Sequence, residues 1–317
     1  MKLVSFEKEQ ATRAGVALKD VVLDVTRLQG ATGGAAAFPG EMKALLASGR
    51  LAELKQAVDR VAGDAALLAE LRRTGAAVAA AEVRLVAPVP NPGLVLSSGG
   101  AYRDHLSEMA VQSHRDPIGF IKGSSAVCGP HDAIVLPSTA PDMVDWEGEF
   151  ACVIGRTCFE VSPEEALDCV AGYTLINDVS ARDWMLGFLG AKGEAPLDVY
   201  IKGSMNVLGK QYPTFCPMGP CIVTKDELRD PGNVDLSTIV NGEVMQSANT
   251  RDLIHGLGQT LSYFSRWFRF QPGDVISTGT PAGIGFARKP PRFLRPGDVV
   301  EVRSEQIGSL RNVVAGR

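Results

Sequence analysis

The N-terminal part of the chain alternates short apolar runs with turns and then changes to helical spacing. Apolar runs at 16–18 and 21–25 flank Lys19-Asp20, which predicts two short strands joined by a turn. Between residues 41 and 83 the apolar positions recur three and four residues apart, as in amphipathic helices, and the alanine run at 76–81 also fits a helix. These positions are Met42, Leu45, Leu46, Leu51, Leu54, Val58, Leu67, Leu68 and Leu71. The proline-rich segment 88–92 interrupts the pattern, so we predict a small N-terminal domain at 1–86 and a larger domain at 87–317.

The larger domain is predicted to consist mainly of antiparallel strands. Asn241-Gly242 separates two strand-like runs, which is a strong hairpin signal. Pro-Gly-Asp occurs at 272–274 and again at 296–298, and Pro-Gly fits the central positions of a type II turn. Helical patterns are few, at 163–170 and 253–267, and no Gly-rich phosphate loop follows a strand. We therefore predict an α+β fold that is mostly β, not a doubly wound parallel sheet.

One strand-like segment, residues 144–154, carries acidic residues at alternate positions. Side chains alternate between the two faces of a strand, so Glu147 and Glu149 share one face, with Asp145 before them. Carboxylates beside a buried apolar run need positive compensation, which a divalent cation would supply. The alternative is a solvated face, as on one side of an antiparallel sheet.

Composition narrows the class of protein and the kind of metal. A formal net charge of −4 over 317 residues gives no sign of a nucleic-acid or anionic-membrane surface. The N-terminus is charged where a signal peptide would be apolar, so we expect a cytoplasmic protein. The six cysteines lack Cys-x-x-Cys spacing and there are only four histidines, which argues against zinc. A bound metal would have oxygen ligands, which Mg²⁺, Mn²⁺ and Ca²⁺ prefer.

Several further positions are candidates for chemistry, and each also has an ordinary explanation. His105 and Glu108 are three residues apart, so on one helix turn they would form a general-base pair, or an unremarkable surface pair. Asp178 closes an apolar run and is either a third ligand or a turn residue. Lys122 and Lys210 are single lysines of the kind usually found solvated. The loop 277–285, rich in Gly, Ser and Thr, is suited to a substrate carboxylate or is simply a connection.

Taken together, these segments resemble the fumarylacetoacetate hydrolase family from about Leu94 to the C-terminus. The matching segments, in chain order, are Tyr-Arg-Asp-His-x-x-Glu (102–108), Val-Asp-Trp-Glu-Gly-Glu-Phe (144–150), Gly-Tyr-Thr-Leu-Ile-Asn-Asp-Val-Ser-Ala-Arg-Asp (172–183), Val-Asn-Gly-Glu (240–243), Pro-Gly-Asp-Val-Ile-Ser-Thr-Gly-Thr-Pro-Ala-Gly-Ile-Gly (272–285) and Pro-Gly-Asp-Val-Val-Glu-Val (296–302). Residues 1–86 resemble, more loosely, the small α/β N-terminal domain of some bacterial members.

The resemblance implies a mixed β-roll or β-sandwich domain, a homodimer, and bound Mg²⁺ or Mn²⁺. It implies metal ligands at Glu147, Glu149 and Asp178, and a catalytic dyad of His105 and Glu108 on a mobile lid. The remaining implied site residues are an active-site lysine, Lys210 rather than Lys202, and the substrate contacts Arg182, Thr280 and Lys122.

Two departures from the family pattern affect this assignment. Met185 stands where many members have Gln, and this difference affects which acid group of a substrate the site would bind. The stretch 186–207 is longer than in compact members, which bears on the choice of Lys210.

The implied chemistry is hydrolysis of a carbon–carbon bond in a 2,4-dioxo acid, giving pyruvate and an acid. Glu108 would orient His105, His105 would activate water, and Lys210 would stabilise the oxyanion, while a cation stabilises the enolate that leaves. Decarboxylation of a 2-oxo diacid, isomerisation of a ring-cleavage product and dehydration of a sugar acid use the same enolate and are alternatives. A non-catalytic ligand-binding relative is an alternative of another class.

Overall fold

The structure, a computed structural model, describes residues 1–28, 36–189 and 195–316. Within these ranges the helices are α1 Met42–Ala47, α2 Leu51–Gly63, α3 Ala65–Arg73, α4 Arg103–Glu108, α5 Pro163–Asp168, α6 Asp183–Leu189, α7 Pro196–Asn206 and α8 Leu257–Phe264. The strands are β1 Lys2–Lys8, β2 Ala11–Leu18, β3 Val21–Asp24, β4 Ala77–Ala79, β5 Arg84–Val86, β6 Val95–Gly99, β7 Ile118–Lys122, β8 Val127–Cys128, β9 Ile134–Val135, β10 Val144–Asp145, β11 Gly148–Ile154, β12 Val170–Asn177, β13 Ser180–Ala181, β14 Cys216–Thr224, β15 Asp235–Val240, β16 Glu243–Asn249, β17 Val275–Ser277, β18 Val299–Ser304 and β19 Gly308–Ala315.

Two main sheets contain most of these strands. The larger sheet has the order β4-β3-β2-β1-β14-β12-β11-β17-β6-β7, with β5 also paired to β1 and β8 to β14. The second sheet has the order β16-β15-β18-β19-β9, and β10 pairs with β13 separately. Parallel pairing within the described chain occurs at β17–β6, β14–β8 and β19–β9, and the other ladders are antiparallel. The prediction of an α+β fold that is mostly β is confirmed.

The N-terminal segment shares the larger sheet with the rest of the chain. Its first strand, β1, pairs with β14, with Leu3 opposite Ile222. Apolar residues of α1 and α2, such as Leu45 and Leu54, join the same core cluster as these two residues. The division at residue 86 stays a prediction, but the β1–β14 ladder shows that the two parts form one continuous sheet.

One local prediction in this segment is wrong. The alanine run at 76–81 was expected to be helical, yet Ala77–Ala79 forms β4 and pairs with β3. Gly75, at φ +70°, ends the helical path after α3, and the open edge of β3 then supplies backbone hydrogen-bond partners. Alanine has a high helix propensity, but pairing with an open strand edge outweighs that preference here.

The two faces of β11 pack against different layers. Ala151 and Val153 join the core that contains the N-terminal segment, whereas Phe150, Cys152 and Ile154 join a second core with residues of the five-stranded sheet and α8. All seven residues of β11 are buried. The solvated-face alternative for the acidic positions is therefore wrong, because the face that bears Glu149 is covered.

The turn signals correspond to observed turns. Asn241 and Gly242 both have positive φ, 53° and 83°, as a two-residue hairpin of type I′ requires, and they join β15 to β16. Gly273 and Gly297 have φ values of +87° and +93°, as expected at the third position of a type II turn. These turns lead into β17 and β18.

The pair of helices α6 and α7, between Asp183 and Asn206, was not predicted. Leu197, Tyr200 and Ile201 recur at helical spacing on α7, but all three are exposed and no residue of α7 is buried, so this apolar face is not packed on the core.

Gly148 separates the two glutamates and permits close approach of the second sheet. A Cβ at this position would lie 2.0 Å from Oγ1 of Thr238, a wholly buried residue of β15. We expect Gly148→Ala to lower the free energy of unfolding by about 1–3 kcal/mol through overpacking. Urea unfolding would measure this, with Gly63→Ala as the control, because a Cβ at Gly63 meets no atom within 4 Å. Equal stability of the two variants would contradict the close packing at Gly148.

Candidate metal centre and active site

Three carboxylates converge where β11 begins and β12 ends. Glu147 immediately precedes β11, Glu149 lies on it, and Asp178 immediately follows β12. The two strands are antiparallel, with Gly148 opposite Asn177, and the Asp178 amide donates to the Glu147 carbonyl at 2.8 Å. One carboxylate oxygen from each acid lies within 4.8 Å of those of the other two. The structure thus brings together the three acids that the sequence pointed to, at exposures of 5%, 1% and 1% in chain order.

Two lysines reach into this acidic cluster. The Lys210 ammonium donates to Glu147 Oε2 at 2.8 Å, to Asp178 Oδ2 at 2.7 Å and to Ser180 Oγ at 2.7 Å. Lys122, which is 1% exposed, donates to Asp178 Oδ1 and to the Val179 carbonyl. The ordinary expectation of solvated surface lysines therefore does not hold at either position. Lys210 reaches the site because the short turn Val207–Lys210 follows α7 directly.

Arg182 pairs with a fourth buried carboxylate, Asp145. Its Nε donates to Asp145 Oδ2 at 2.9 Å and its Nη2 to Glu147 Oε1 at 2.5 Å. Asp145 also accepts backbone hydrogen bonds from Gly285 at 2.7 Å and Phe286 at 3.0 Å. Sequence reasoning placed Asp145 on the glutamate face but gave it no role. The sequence signal that could have identified Asp145 as a site residue is its position two residues before Glu147, on the same strand face.

The charges explain how four acids are tolerated in the interior. Burial raises the pKa of Glu149 well above its ordinary value, and the charges of Asp178 and Glu147 add to the effect. Burial acts in the same direction on Glu147, but Lys210 and Arg182 outweigh it and hold the pKa of that carboxyl well below its ordinary range. Glu149 is therefore the member of the cluster that most favours a proton or a cation beside it.

The donor set fits a hard divalent cation. It consists of carboxylate oxygens, and their spacing within 4.8 Å is close to twice the roughly 2.0–2.6 Å bonds of Mg²⁺ and Ca²⁺ to oxygen. If all are ionised, the four carboxylates and three cationic side chains, Lys122, Arg182 and Lys210, leave a single negative charge. A divalent cation would change that to a single positive charge, which suits an anionic substrate.

His105 and Glu108 form the predicted pair on α4. His105 Nδ1 and Glu108 Oε1 are 2.8 Å apart, and Glu108 Oε2 accepts from the Gly283 amide at 2.9 Å. Of the causes that lower the pKa of Glu147, His105 comes after Lys210 and Arg182. Because Glu108 engages Nδ1, Nε2 is the nitrogen left for proton transfer. The mobility of α4 as a lid stays a prediction.

The loop 277–285 directs its donors mainly to protein carboxylates. Ser277 donates to Glu149, Gly283 to Glu108 and Gly285 to Asp145. Thr280 donates its hydroxyl proton to the Gly148 carbonyl at 3.1 Å and accepts from Gln246 at 2.7 Å. The predicted contact of Thr280 with substrate stays a prediction, while its observed contacts anchor the backbone between the two glutamates.

Met185 is 7% exposed and lies one turn after Arg182.

Comparison with known proteins places this geometry in a family. Residues 95–315 match the family model described as fumarylacetoacetate (FAA) hydrolase, C-terminal. The chain belongs to the fumarylacetoacetate hydrolase family. A curated member, oxaloacetate tautomerase FAHD2A, mitochondrial, from Bos taurus, is 42% identical over 233 residues, which is 74% of this chain and 70% of that protein.

Two solved structures of family members resemble the whole chain. Maleylpyruvate hydrolase from Sphingobium sp. SYK-6, in complex with manganese(II) and pyruvate, is 30% identical with a TM-score of 0.73, covering 100% of this chain and 99% of that one. 5-Carboxymethyl-2-hydroxymuconate delta-isomerase from Mycobacterium smegmatis is 30% identical with a TM-score of 0.70, covering 100% of both chains.

Among the described residues, no helix has the length and apolar character needed to span a membrane.

The raised pKa of Glu149 predicts how stability depends on pH without metal. The folded state binds this proton more tightly than the unfolded chain, so the contribution is complete below the ordinary value of 4.5 and is lost as pH rises through the raised value. As the pH rises above that ordinary value, we expect the unfolding free energy in EDTA to fall more steeply for wild type than for Glu149→Gln. Urea unfolding at several pH values would measure this, and identical slopes would contradict it.

Proposed function

We propose that this chain is an enzyme that uses Mg²⁺ or Mn²⁺ to act on the enol or enolate form of a 2-oxo acid. The observation that carries the proposal is the buried cluster of Glu147, Glu149 and Asp178, together with the hydrogen-bonded His105–Glu108 pair. A divalent cation held by these carboxylates would supply Lewis-acid stabilisation of negative charge on a substrate oxygen. Manganese(II) and pyruvate in the related maleylpyruvate hydrolase structure support this choice of metal and substrate class.

Our first candidate reaction is hydrolysis of a 2,4-dioxo acid. Glu108 holds Nδ1 of His105, so Nε2 takes a proton from water and the hydroxide oxygen bonds to C4. Lys210 stabilises the oxyanion that forms there. The C3–C4 bond then breaks, its electron pair goes to C3, and protonation at C3 gives pyruvate beside the released acid.

A second candidate is keto–enol tautomerisation of a 2-oxo diacid such as oxaloacetate. It is favoured by the 42% identity to a protein named as an oxaloacetate tautomerase. This reaction needs no attacking water. His105 would remove a proton from C3 and, as the imidazolium, return it to the C2 oxygen. Buried Lys210, with its ammonium group in the cluster, would stabilise the charge that develops between the two steps.

A substrate panel separates these reactions. The panel consists of 2,4-dioxo acids, oxaloacetate and ring-cleavage dienoates, each assayed with Mg²⁺, with Mn²⁺ and with EDTA. We expect turnover that EDTA removes, and the substrate class that is turned over identifies the reaction. Glu149→Ala should abolish every activity. His105→Ala should lower hydrolysis by about 10²–10⁴-fold while sparing any decarboxylation that needs no activated water.

The matched control is His131→Ala, since His131 is an exposed histidine outside the cluster. Equal loss of hydrolysis and decarboxylation in His105→Ala would contradict the water-activating role. Metal binding without turnover of any panel member would instead support the non-catalytic ligand-binding alternative.

The assembly and location implied by the sequence belong to the same proposal. We propose a homodimer, supported by the exposed apolar side chains on α7, where Leu197 is 67% and Tyr200 is 70% exposed. We also retain the cytoplasmic location as a prediction.

If α7 lies in a dimer interface, Tyr200→Glu should shift the mass measured by light scattering toward the monomer. Val244→Glu is the control, because Val244 is an apolar residue that is 58% exposed on β16, a strand of the five-stranded sheet, and not on α7. A dimer that persists in Tyr200→Glu, or a monomeric wild type, would contradict this interface.

A further inference from the structure

The register of the large sheet places Ser97 on the face that carries the acidic cluster. Ser97 of β6 is in register with Ser277 of β17 on one side and with Phe120 of β7 on the other. Residues in register on neighbouring strands point to the same face of a sheet. Ser277 donates to Glu149, and the Phe120 ring centroid lies 5.1 Å from Lys210 Nζ. Ser97 therefore lies between two residues whose side chains contact the site.

Ser98, the next residue, faces the opposite layer. It is in register with Gly119, and a Cβ built on Gly119 would lie 2.6 Å from the ring of Phe264 in α8. The face of β6 that bears Ser98 thus packs toward α8, away from the acids. The two serines are adjacent, both are buried, and only Ser97 shares the face of Glu149.

The hydroxyls of Ser97 and Ser98 both lack a hydrogen-bond partner among the described residues, but only Ser97, which is 0% exposed, lies on the face of the acids. Buried hydroxyls in folded proteins almost always have a partner, so an orphan beside a functional site calls for one from outside the chain. Gly99, two residues further on the same face, has no side chain, and even an added Cβ would find Ile118 only at 3.9 Å. On this face of β6, the next residue after Ser97 therefore adds no side chain.

We propose that Ser97 is a substrate-binding residue whose hydroxyl donates a hydrogen bond to a carboxylate oxygen of the 2-oxo acid. This inference rests on the proposed function and adds a specific contact to it. Serine suits this position because it donates a hydrogen bond without adding charge to a cluster whose acids and bases nearly balance. The carboxylate would lie between the Ser277–Glu149 pair and the Phe120–Lys210 pair, which flank Ser97 on the sheet.

Ser97→Ala tests this contact by two readouts on the full chain. For the panel substrate that wild type turns over, kcat/KM should fall about 10- to 100-fold, mainly through KM, as for loss of a hydrogen bond to a charged group. Oxalate, a planar dianion similar to the enolate of pyruvate, should bind the Mg²⁺-loaded variant more weakly by a similar factor in calorimetry. The affinity for Mg²⁺ alone should stay within about two-fold of wild type, because a neutral hydroxyl outside the cluster is not among its ligands.

Two further variants keep the test decisive. Ser97→Cys retains the size of the side chain with a weak donor, so it should show the same loss even if the alanine variant folds poorly. Ser98→Ala, the adjacent buried serine on the other face, should match wild type in both readouts.

The inference is overturned by wild-type values for oxalate and KM in Ser97→Ala, by an equal loss in Ser98→Ala, or by a loss of Mg²⁺ affinity in Ser97→Ala. The outcomes also separate the two proposals. Oxalate binding that depends on Ser97, without turnover of any substrate, would sustain this contact and overturn the catalytic proposal. Turnover that Ser97→Ala leaves unchanged would support the catalytic proposal and overturn this contact.

Discussion

Charge compensation inside the protein is the constraint on which the rest of this structure depends. Asp145, Glu147, Glu149 and Asp178 are all buried at one end of two central strands. Isolated, each ionised carboxylate would be very costly there, and removal of one partner from a buried ion pair typically costs about 3–5 kcal/mol. Within the described part of the chain, Lys122, Arg182 and Lys210 hydrogen-bond to the other acids, whereas the side-chain partner of Glu149 is the hydroxyl of Ser277. The imbalance favours a proton or a metal ion at that position.

The fold assembles the cluster from distant segments by backbone pairing. The β11–β12 ladder brings Asp178 beside Glu147, and β17 brings Ser277 to Glu149. Amides of the loop 283–286 fix Glu108 and Asp145, which in turn hold His105 and Arg182. A site built on central strands and held by such contacts is rigid, which precise positioning of a substrate requires.

The relatives are named for three different reactions, tautomerisation, hydrolysis and isomerisation. Tautomerisation and isomerisation need proton transfer, whereas hydrolysis also needs an activated water. A cluster that stabilises an enolate serves all of them, so the reaction depends on the groups around the substrate rather than on the three acids. In this chain we propose His105 and Ser97 as two of those groups. Fold and family therefore narrow the chemistry to a class, and the surrounding side chains select within it.

The sequence by itself determined the mostly β fold, the hairpin and type II turns, and the shared face of Glu147 and Glu149, because strand alternation and turn conformations are local properties of the chain. Asp178 was assigned to the same site only through the resemblance to the family. It did not determine that Ala77–Ala79 is a strand, since an open sheet edge overrode local propensity. It also gave no reason to assign a role to Asp145 or Ser97, and only the resemblance to the family, not a local pattern, indicated that Lys122 and Lys210 lie in the site. Those features depend on contacts between residues far apart in the chain, such as Lys122 with Asp178 and Ser97 with Ser277. Only the tertiary structure decided them, because the energy of a buried charge or hydroxyl depends on the partners that folding brings to it.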